Sequence, residues 1–501
     1  MDFPLFRLIS LPIILYFMSE KYVSYQSYDV TNLNLQSYAI NRNLYKNCSL
    51  ILVMLSNSLK PSEFPNFRTS LCNITESFLY IRDGAGKNVS QKIMETDNSI
   101  IGPKIVRVSE MDHGNLFGLA LSIYFTSKYV AIIDVDRLIN DNSIPSTSWI
   151  DLYLDNLIIN GYDIIFSNSR NPTAFLSHQK IIRHFLLYTN IKYSDTSAMS
   201  ILYNYIDCKN HYKFGVLKSN LNEEKVCDNI PNEWKCEENK IQNVSSYAIL
   251  IPTFKRNYMK RSIEALEMQT IKPSSIYIVQ NKMFTHFDFF LLESYTKIPI
   301  KHMWCTNWNS YFYLTYCVMM FIEDLYYMKI DDDFFFETSD SAENMCKYES
   351  QHPNTMIGVG NTFNHINYCE CKPYKRKYVE EPFVDYISWL VLMYSSAGKI
   401  LHRFAVVDYI GAEDVAVGLA NNIECNTKSA CIKGVKGENV GIRDGMTHTR
   451  DEEIKNNYRL VPNIWEKTVC HFIIYGYNPI AFESYQCANG HKNIEEIRHP
   501  H

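Results

Sequence analysis

Two distant segments of the chain repeat one pattern, in which short apolar runs precede acidic residues. Leu50-Ile-Leu-Val-Met-Leu55 is followed by Asp134-Val-Asp136, and Tyr247-Ala-Ile-Leu-Ile-Pro252 is followed by Asp331-Asp-Asp333. The shift is 197 residues for the acidic groups. It is 198 residues for the first two apolar runs of each segment when Leu50 is aligned with Ala248 and Phe78 with Ile276. A shared shift predicts two halves built on one plan within the 501 residues.

Within each half the pattern predicts strands alternating with helices. A second apolar run follows the first, Phe78-Leu-Tyr-Ile81 in one half and Ile276-Tyr-Ile-Val279 in the other. Between the runs of the second half, Met259 to Met268 has apolar residues at helical spacing. A β-α-β unit of this kind predicts the α/β class, with a mostly parallel sheet covered on both faces. Ligands of such sheets bind beyond the carboxyl ends of the strands.

The acidic triplet lies where a buried strand would meet solvent. On an extended backbone Asp331 and Asp333 point to one side and Asp332 to the other. Two carboxylates side by side suit one hard divalent cation, whose usual complement is a diphosphate. The alternative is a solvated acidic turn.

Composition excludes some partners and indicates a compartment. The net charge of -5 comes without a basic stripe, which disfavours nucleic acid as a partner. Fourteen cysteines and four Asn-x-Ser/Thr sequons favour an oxidising secretory lumen. The sequons are at Asn47, Asn73, Asn88 and Asn243. Cys425 and Cys431 are candidates to close a short surface loop.

The chain divides into four predicted regions. Residues 1–21 contain one basic residue and the apolar run Leu8 to Met18, which predicts a signal peptide or a short signal anchor. The run is shorter than the roughly 17–25 residues that span a bilayer, and a buried N-terminal segment is the alternative. Residues 45–220 and 246–490 are the predicted domains, and residues 221–245 are the predicted linker.

The motifs of the second half resemble a known family in their order and spacing. These are Ala248-Ile-Leu-Ile-Pro-Thr-Phe-Lys-Arg256, then Gln269-Thr270, Asp331-Asp-Asp333 and Gly411-Ala-Glu413-Asp414. This half resembles the GT-A glycosyltransferases, with family-2-like inverting enzymes as the closest fit, over residues 246–420. The resemblance implies that the chain has two tandem GT-A-like domains.

The resemblance also implies roles for the residues around the triplet. Asp331 and Asp333 would hold Mn²⁺ or Mg²⁺ bridging the two phosphates of the donor, and Asp332 would be structural or touch the donor. His448 is a candidate further metal ligand, and Arg443 or Arg450 a candidate diphosphate contact. The predicted nucleotide contacts are Pro252, Thr253, Arg256, Gln280 and Asn281, although the family often has an aspartate where Gln280-Asn281 stand.

Glu413-Asp414 begins a helix-like segment, where acidic residues are also favoured by the helix dipole alone. In the functional interpretation Asp414 is the general base that removes the proton of the acceptor hydroxyl. Glu413 would hydrogen-bond the acceptor sugar, and attack opposite the leaving group would invert the anomeric centre. One further segment, Trp304-Cys-Thr-Asn-Trp308-Asn-Ser310, has aromatic residues that suit stacking on a sugar. These residues suit ordinary core packing equally well.

The first half is similar to a second glycosyltransferase domain. Asp134 and Asp136 would be its metal ligands, and Asp83 lies where a nucleotide-contacting acid is expected. Shifting Glu413-Asp414 back by the repeat lands on Val216-Leu217, which carry no base, and Asp195 is a candidate substitute. This half is therefore a different, retaining transferase or a non-catalytic remnant that shapes the acceptor site.

These observations predict a metal-dependent, inverting glycosyltransferase of the Golgi or endoplasmic reticulum lumen, held to the membrane by its N-terminus if that segment is retained. Its partners would be a nucleotide-diphosphate sugar and a glycan, glycoprotein or glycolipid acceptor. The alternatives are a non-catalytic carbohydrate-binding or scaffold protein and a sugar-1-phosphate nucleotidyltransferase. The second half lacks the Gly-rich phosphate loop of a nucleotidyltransferase. The presence of both acidic groups argues against a non-catalytic binding or scaffold protein.

Overall fold

A computed structural model gives the fold of about half of the chain. It describes residues 28–29, 48–56, 69, 71–82, 104–109, 127–135, 137, 149–168, 172–190, 198–209, 212–218, 232–233, 235–236, 243–253, 258–280, 294–305, 315, 317–320, 322–359, 363–367, 372–376, 383–384, 387, 390–394, 399–400, 413–432, 435, 437–439, 468–469 and 471–473.

The described residues form strands throughout and helices between them. The strands are β1 Tyr28–Asp29, β2 Ser49–Ser56, β3 Asn73–Arg82, β4 Lys104–Ser109, β5 Tyr129–Asp134, β6 Ile164–Asn168, β7 Ala174–His178, β8 Thr189–Asn190, β9 Phe214–Lys218, β10 Asn232–Glu233, β11 Ala248–Thr253, β12 Ile276–Gln280, β13 Ile300–Cys305, β14 Tyr326–Lys329, β15 Phe334–Phe336, β16 Thr355–Val359, β17 Phe363–Asn367, β18 Lys372–Arg376, β19 Phe383–Val384, β20 Leu390–Tyr394, β21 Lys428–Ile432 and β22 Gly437–Asn439. The helices are α1 Trp149–Ile159, α2 Gln179–Tyr188, α3 Ala198–Lys209, α4 Met259–Glu267, α5 Ser341–Gln351 and α6 Glu413–Cys425.

One sheet of 16 strands runs through both halves of the chain. From its middle outward the first half has the order β4-β3-β2-β5-β7-β6-β9, and the second half has β13-β12-β11-β14-β20-β16-β21. Corresponding pairs of neighbouring strands have the same relative direction in the two halves. Within these two runs, only the pairs that involve β7 or β20 are antiparallel. This confirms the mixed α/β class with mostly parallel strands. That each half is a GT-A-like domain stays a prediction.

The two halves meet edge to edge. Strands β4 and β13 pair antiparallel, with Val108 opposite Met303 and Ser109 opposite His302. Since the neighbours of each strand are parallel to it, the strands of one half point opposite to those of the other. The carboxyl ends of the two sets of strands, where ligands bind in such sheets, therefore lie at opposite edges of the sheet.

Buried side chains form a shared core on one face of the sheet and two separate cores on the other. The shared core takes alternate strand residues of both halves, such as Ile51 and Leu250, with helices α2, α3 and α6. The first-half core contains Leu50 with α1, and the second-half core contains Ile249 with α4 and α5. The two helix layers follow from strand alternation, because each parallel strand buries both of its faces.

This alternation fixes the repeat more closely than the sequence does. Leu50 and Tyr129 belong to the first-half core, and their counterparts must belong to the second-half core. Tyr247 and Tyr326 belong to the second-half core, whereas Ala248 and Tyr327 belong to the shared core. The shift between the first strands must therefore be an odd number of residues, which agrees with the 197 residues of the acidic groups, and the shift of 198 for these strands was wrong.

The repeat shift does not hold further along the chain. The pairings Ile164 with Phe214 and Thr355 with Lys428 make β9 the counterpart of β21, so that α3 is the counterpart of α6. Strands β17, β18 and β19 lie between β16 and β20 and lengthen the second half there. The counterpart of Glu413-Asp414 is consequently the start of α3 at Ala198, and the comparison with Val216-Leu217 was wrong.

Disulfides tie several of these elements together. Cys48 before β2 is bonded to Cys72 before β3, and Cys236 is bonded to Cys425 at the end of α6. The prediction of a bond between Cys425 and Cys431 was wrong, because Cys431 is a buried free thiol. The predicted linker is therefore attached to the second half through Cys236.

No helix among the described residues is long and apolar enough to cross a membrane. Residues 1–21, for which a signal peptide or anchor is predicted, lie outside the described part of the chain.

Candidate active site

The acidic triplet lies in a turn rather than on a strand. Strand β14 ends at Lys329 and β15 begins at Phe334, whose N–H donates to the carbonyl of Asp331 over 3.1 Å. Asp332 and Asp333 are buried, each with 4% exposure, while Asp331 is half-buried. The strand alternation from which Asp331 and Asp333 were paired does not extend through this turn, so the pairing rests on the resemblance alone and stays a prediction.

A hydrogen bond fixes the middle of the turn to the neighbouring strand. The hydroxyl of Thr253, at the end of β11, donates to Oδ2 of Asp332 over 2.9 Å, and both side chains are buried. A carboxylate buried at such a place requires a donor, since desolvation otherwise penalises its charge. Of the two roles predicted for Asp332, the structural one is therefore visible. Thr253, predicted to contact the nucleotide, holds the acidic turn.

The residues after the turn are clamped by a short ribbon, β15 with β22. A Cβ at Gly437 would lie 2.0 Å from the ring of Phe334, so the ribbon closes only around a glycine at this position. The guanidinium of Arg261 on α4 lies 4.3 Å from the ring centre of Phe335 and 2.5 Å from Oε2 of Glu438. These contacts join the exit of the acidic turn to α4.

The ribbon of β15 and β22 also brings the end of β22 beside the acidic turn. Asn439, the last residue of β22, pairs with Phe334, which directly follows Asp333. The segment that starts there leads to Arg443, His448 and Arg450, which lie outside the described residues. Their predicted roles in metal and diphosphate binding are not tested, but the chain leaves β22 beside the acidic turn.

Sequence reasoning missed a second clamp beneath the site. The buried side chain of Gln269 donates to the carbonyls of Ala265 and Thr338 and accepts from the N–H of Ala342. It thereby joins the end of α4 to the start of α5, which follows β15. In the sequence Gln269 stands out only as part of a family motif, and its position directly after a predicted helix is the one available signal.

The start of helix α6 comes to the same edge of the sheet as the acidic turn. Strand β21 runs parallel to β16 and hence to β14, and only Asn426 and Thr427 separate it from α6. A helix that packs on the sheet and turns directly into β21 runs antiparallel to it, so the first residues of α6 lie near the carboxyl ends of the strands. These first residues are Glu413 and Asp414, whose side chains lie outside the description.

The predicted nucleotide contacts follow two adjacent parallel strands. Pro252 on β11 pairs with Val279 on β12, and the strands end at Thr253 and Gln280. Arg256 comes three residues after the first of these ends and Asn281 directly after the second, and both lie outside the described residues, as does the side chain of Gln280. The backbone thus brings the predicted contacts to one edge. In the segment from Trp304 to Ser310, only the backbone of Trp304 and Cys305, at the end of β13, is described.

The corresponding place in the first half has fewer acidic groups within the described residues. Asp134 ends β5, is 6% exposed, and accepts at Oδ1 from the N–H of Arg137 over 3.1 Å. The described first turn of α3 contains no acidic residue. Asp83, Asp136 and Asp195 lie outside the described residues, so their predicted roles are not tested.

Residues 285–429 match the family model for galactosyltransferases. The matched segment includes the acidic turn and all of α6, and it confirms the resemblance of the second half to glycosyltransferases. The match supports a nucleotide-sugar-dependent glycosyltransferase. It does not reach β11 and β12 or any part of the first half.

Comparison with solved structures gives weak similarity to glycosyltransferases. The structure of S. aureus TarS residues 1–349 is 13% identical, with a TM-score of 0.32, over 46% of this chain and 65% of that one. A second S. aureus TarS structure is 12% identical, with a TM-score of 0.30, over 38% of this chain and 35% of that one. The chain thus spans less than two thirds of either structure, and these scores carry no argument. A comparison with curated proteins gave no match.

Proposed function

We propose that the galactosyltransferase-family half transfers a sugar from a nucleotide-diphosphate donor to a hydroxyl of a glycan, glycoprotein or glycolipid, with inversion at the anomeric carbon. The observation that carries the proposal is the family match, which spans Asp331 to Asp333 together with Glu413 and Asp414. The fold supports it by bringing these two acidic groups to one edge of the sheet.

The acidic turn fits a divalent metal of the Mg²⁺ or Mn²⁺ type. Asp331 and Asp333 are oxygen donors at the end of a parallel strand, and such ions are usually held by one or two carboxylates plus substrate phosphates and water. Within the described residues no group of three His, Cys, Asp or Glu side chains could hold a metal by itself. This suits an ion completed by the diphosphate, and by His448 if that residue reaches it. When bound, the ion would neutralise charge on the departing diphosphate.

The chain's own groups would carry the rest of the reaction. Asp414 would take the proton from the acceptor hydroxyl as its oxygen attacks the anomeric carbon. Glu413 would hydrogen-bond the acceptor sugar and orient it. Positive potential at the start of α6 favours anionic groups there.

The nucleotide would lie across the ends of β11 and β12. Pro252 lies near the end of the first strand, and Arg256 comes three residues after that end. Gln280 ends the second strand and Asn281 follows it, and amides there can hydrogen-bond a base edge. Thr253 and Asp332 would contribute indirectly by holding the acidic turn in place.

The family description makes galactose the first donor sugar to test. The disulfides Cys48–Cys72 and Cys236–Cys425, with a further disulfide at Cys208, suit the oxidising lumen of the secretory pathway. Such a location matches a glycan, glycoprotein or glycolipid acceptor.

The test uses the full-length chain, Mn²⁺ and a panel of nucleotide-diphosphate sugars with oligosaccharide acceptors, scored by released nucleoside diphosphate. We expect turnover with the galactose donor and an inverted linkage in the product by NMR. No turnover with any donor would contradict the proposal. Metal-dependent glycan binding without turnover would favour the carbohydrate-binding alternative instead.

A further inference from the structure

Two of the sequons lie on the surface of the folded chain. Asn73-Ile74-Thr75 begins strand β3, and Asn243-Val244-Ser245 ends three residues before β11. In both, the asparagine and the hydroxyl residue are exposed while the middle residue turns inward: Ile74 is half-buried and Val244 is 7% exposed. This alternation is that of an extended backbone, and it keeps both groups that define a sequon on the solvent side.

We propose that Asn73 and Asn243 carry N-linked glycans. Nδ2 of each asparagine would form a bond to the anomeric carbon of a lipid-diphosphate-linked oligosaccharide. The bond from that carbon to the diphosphate oxygen would break, the lipid diphosphate would leave with the electron pair, and the amide would give up one proton to the membrane-bound transferase of the lumen. The sequon hydroxyl is part of what that enzyme recognises.

The fold around each sequon tolerates such a glycan. The backbone N–H of Asn73 donates to the carbonyl of Cys48 over 3.1 Å, next to the Cys48–Cys72 disulfide, and its side chain is not needed for this contact. The N–H of Val244 donates to the hydroxyl of Ser350 over 3.0 Å. In both sequons the backbone and the inward residue hold the segment, and the asparagine amide stays accessible.

Their positions leave the proposed active site open. Asn73 lies at the amino end of β3, which shares an edge of the sheet with the acidic turn because the two halves run oppositely. Five strand spacings separate β3 from β14, about 24 Å across the sheet. Asn243 lies before β11, at the other edge. A glycan at either place would therefore leave the donor site accessible.

The inference rests on the proposed secretory location, and its test separates the two. The full-length chain is produced in eukaryotic cells, and each preparation is compared before and after peptide N-glycosidase by electrophoresis and peptide mass spectrometry. We expect Asn73→Gln and Asn243→Gln each to lose one glycan, with conversion of Asn73 and Asn243 to Asp in the treated wild type.

Matched variants control for folding. Thr75→Val and Ser245→Ala remove the sequon hydroxyl but keep the asparagine, and they should lose the same glycan as the Gln variants. Thr75→Ser keeps a hydroxyl able to donate to the carbonyl of Leu50, as Thr75 does over 3.2 Å, and it should keep the glycan. Secreted protein with both asparagines unmodified would overturn the inference. Glycosylated protein without transfer activity would uphold it and contradict the proposed function alone.

Discussion

The two halves of this chain share a strand order but not the residues at the ends of the strands. Seven strands on each side of the β4–β13 joint follow one sequence of neighbours and directions. At the end of β14 the second half has three successive aspartates, and its helix α6 begins with Glu413-Asp414. At the counterpart positions the first half has Asp134-Val-Asp136 and Ala198-Met-Ser200. The repeat therefore specifies the fold, while chemistry depends on a few positions that the repeat leaves free.

The joint also keeps the two edges apart. Seven strand spacings separate β5 from β14, about 34 Å across the sheet, and their carboxyl ends lie at opposite edges. Asp134, which ends β5, therefore lies away from the acidic turn. This disfavours the idea that the strand ends of the first half shape the acceptor site of the second. If the first half binds a ligand at its own strand ends, it does so separately.

The largest expected difference between the halves concerns the acidic groups. We expect Asp333→Asn to lower transfer about 10³-fold, because charge developing on the diphosphate would lose its stabilisation. Asp136→Asn, its matched variant in the first half at the shift of 197 residues, should leave transfer unchanged. Initial rates at saturating Mn²⁺ measure both, with thermal melts to verify folding. Equal loss in the two variants would break the distinction between the halves.

The next prediction concerns the helix starts. Asp414→Asn should lower transfer about 10²-fold or more and remove the acidic limb of the pH–rate profile, because a general base is lost. Asp195→Asn, just before the counterpart helix of the first half, should change neither the rate nor the profile. A normal pH profile in Asp414→Asn would assign Asp414 to the helix dipole rather than to catalysis.

Much of this architecture could be predicted from the sequence. Runs such as Tyr247-Ala-Ile-Leu-Ile-Pro252 are apolar on both faces, which only a covered parallel strand requires. The strand ends and the start of α6 followed from the same pattern. The apolar pattern does not predict that β4 pairs antiparallel with β13. A strand buries similar residues whether its neighbour at the edge of its half is parallel or antiparallel.

The details of the site were less accessible. Alternation predicted the orientation of Asp331 to Asp333, but the strand ends two residues earlier, at Lys329. Neither the partner of Cys425 nor the hydrogen bond from Thr253 to Asp332 follows from local sequence, since each joins residues far apart in the chain. The shift of 197 residues has already fallen to 191 between the starts of β6 at Ile164 and β16 at Thr355. It fails again beyond β16 because strands β17 to β19 are inserted in one half only.

The joint itself can be broken to test whether the halves fold as one unit. Val108 lies in the interior of β4 opposite Met303, where proline would remove a strand hydrogen bond. We expect Val108→Pro to lower the free energy of unfolding by about 3 kcal/mol. Because the shared core spans both halves, the wild type should unfold in a single calorimetric transition. Two separate transitions in the wild type would show that the halves fold independently of this joint.

The smallest expected effect is a pH dependence at the same joint. His302 on β13 is buried, and this burial lowers its pKa from the usual 6.5 to about 3. The folded state therefore binds this proton less readily than the unfolded chain, and the stability linked to His302 is complete above pH 6.5 and is lost as the pH falls from 6.5 towards 3. At pH 5 the loss relative to pH 7 should be about 2 kcal/mol. Denaturant melts of His302→Met, which has no titrating group, should lack this component, and an equal acid sensitivity of both proteins would show that the joint does not set it.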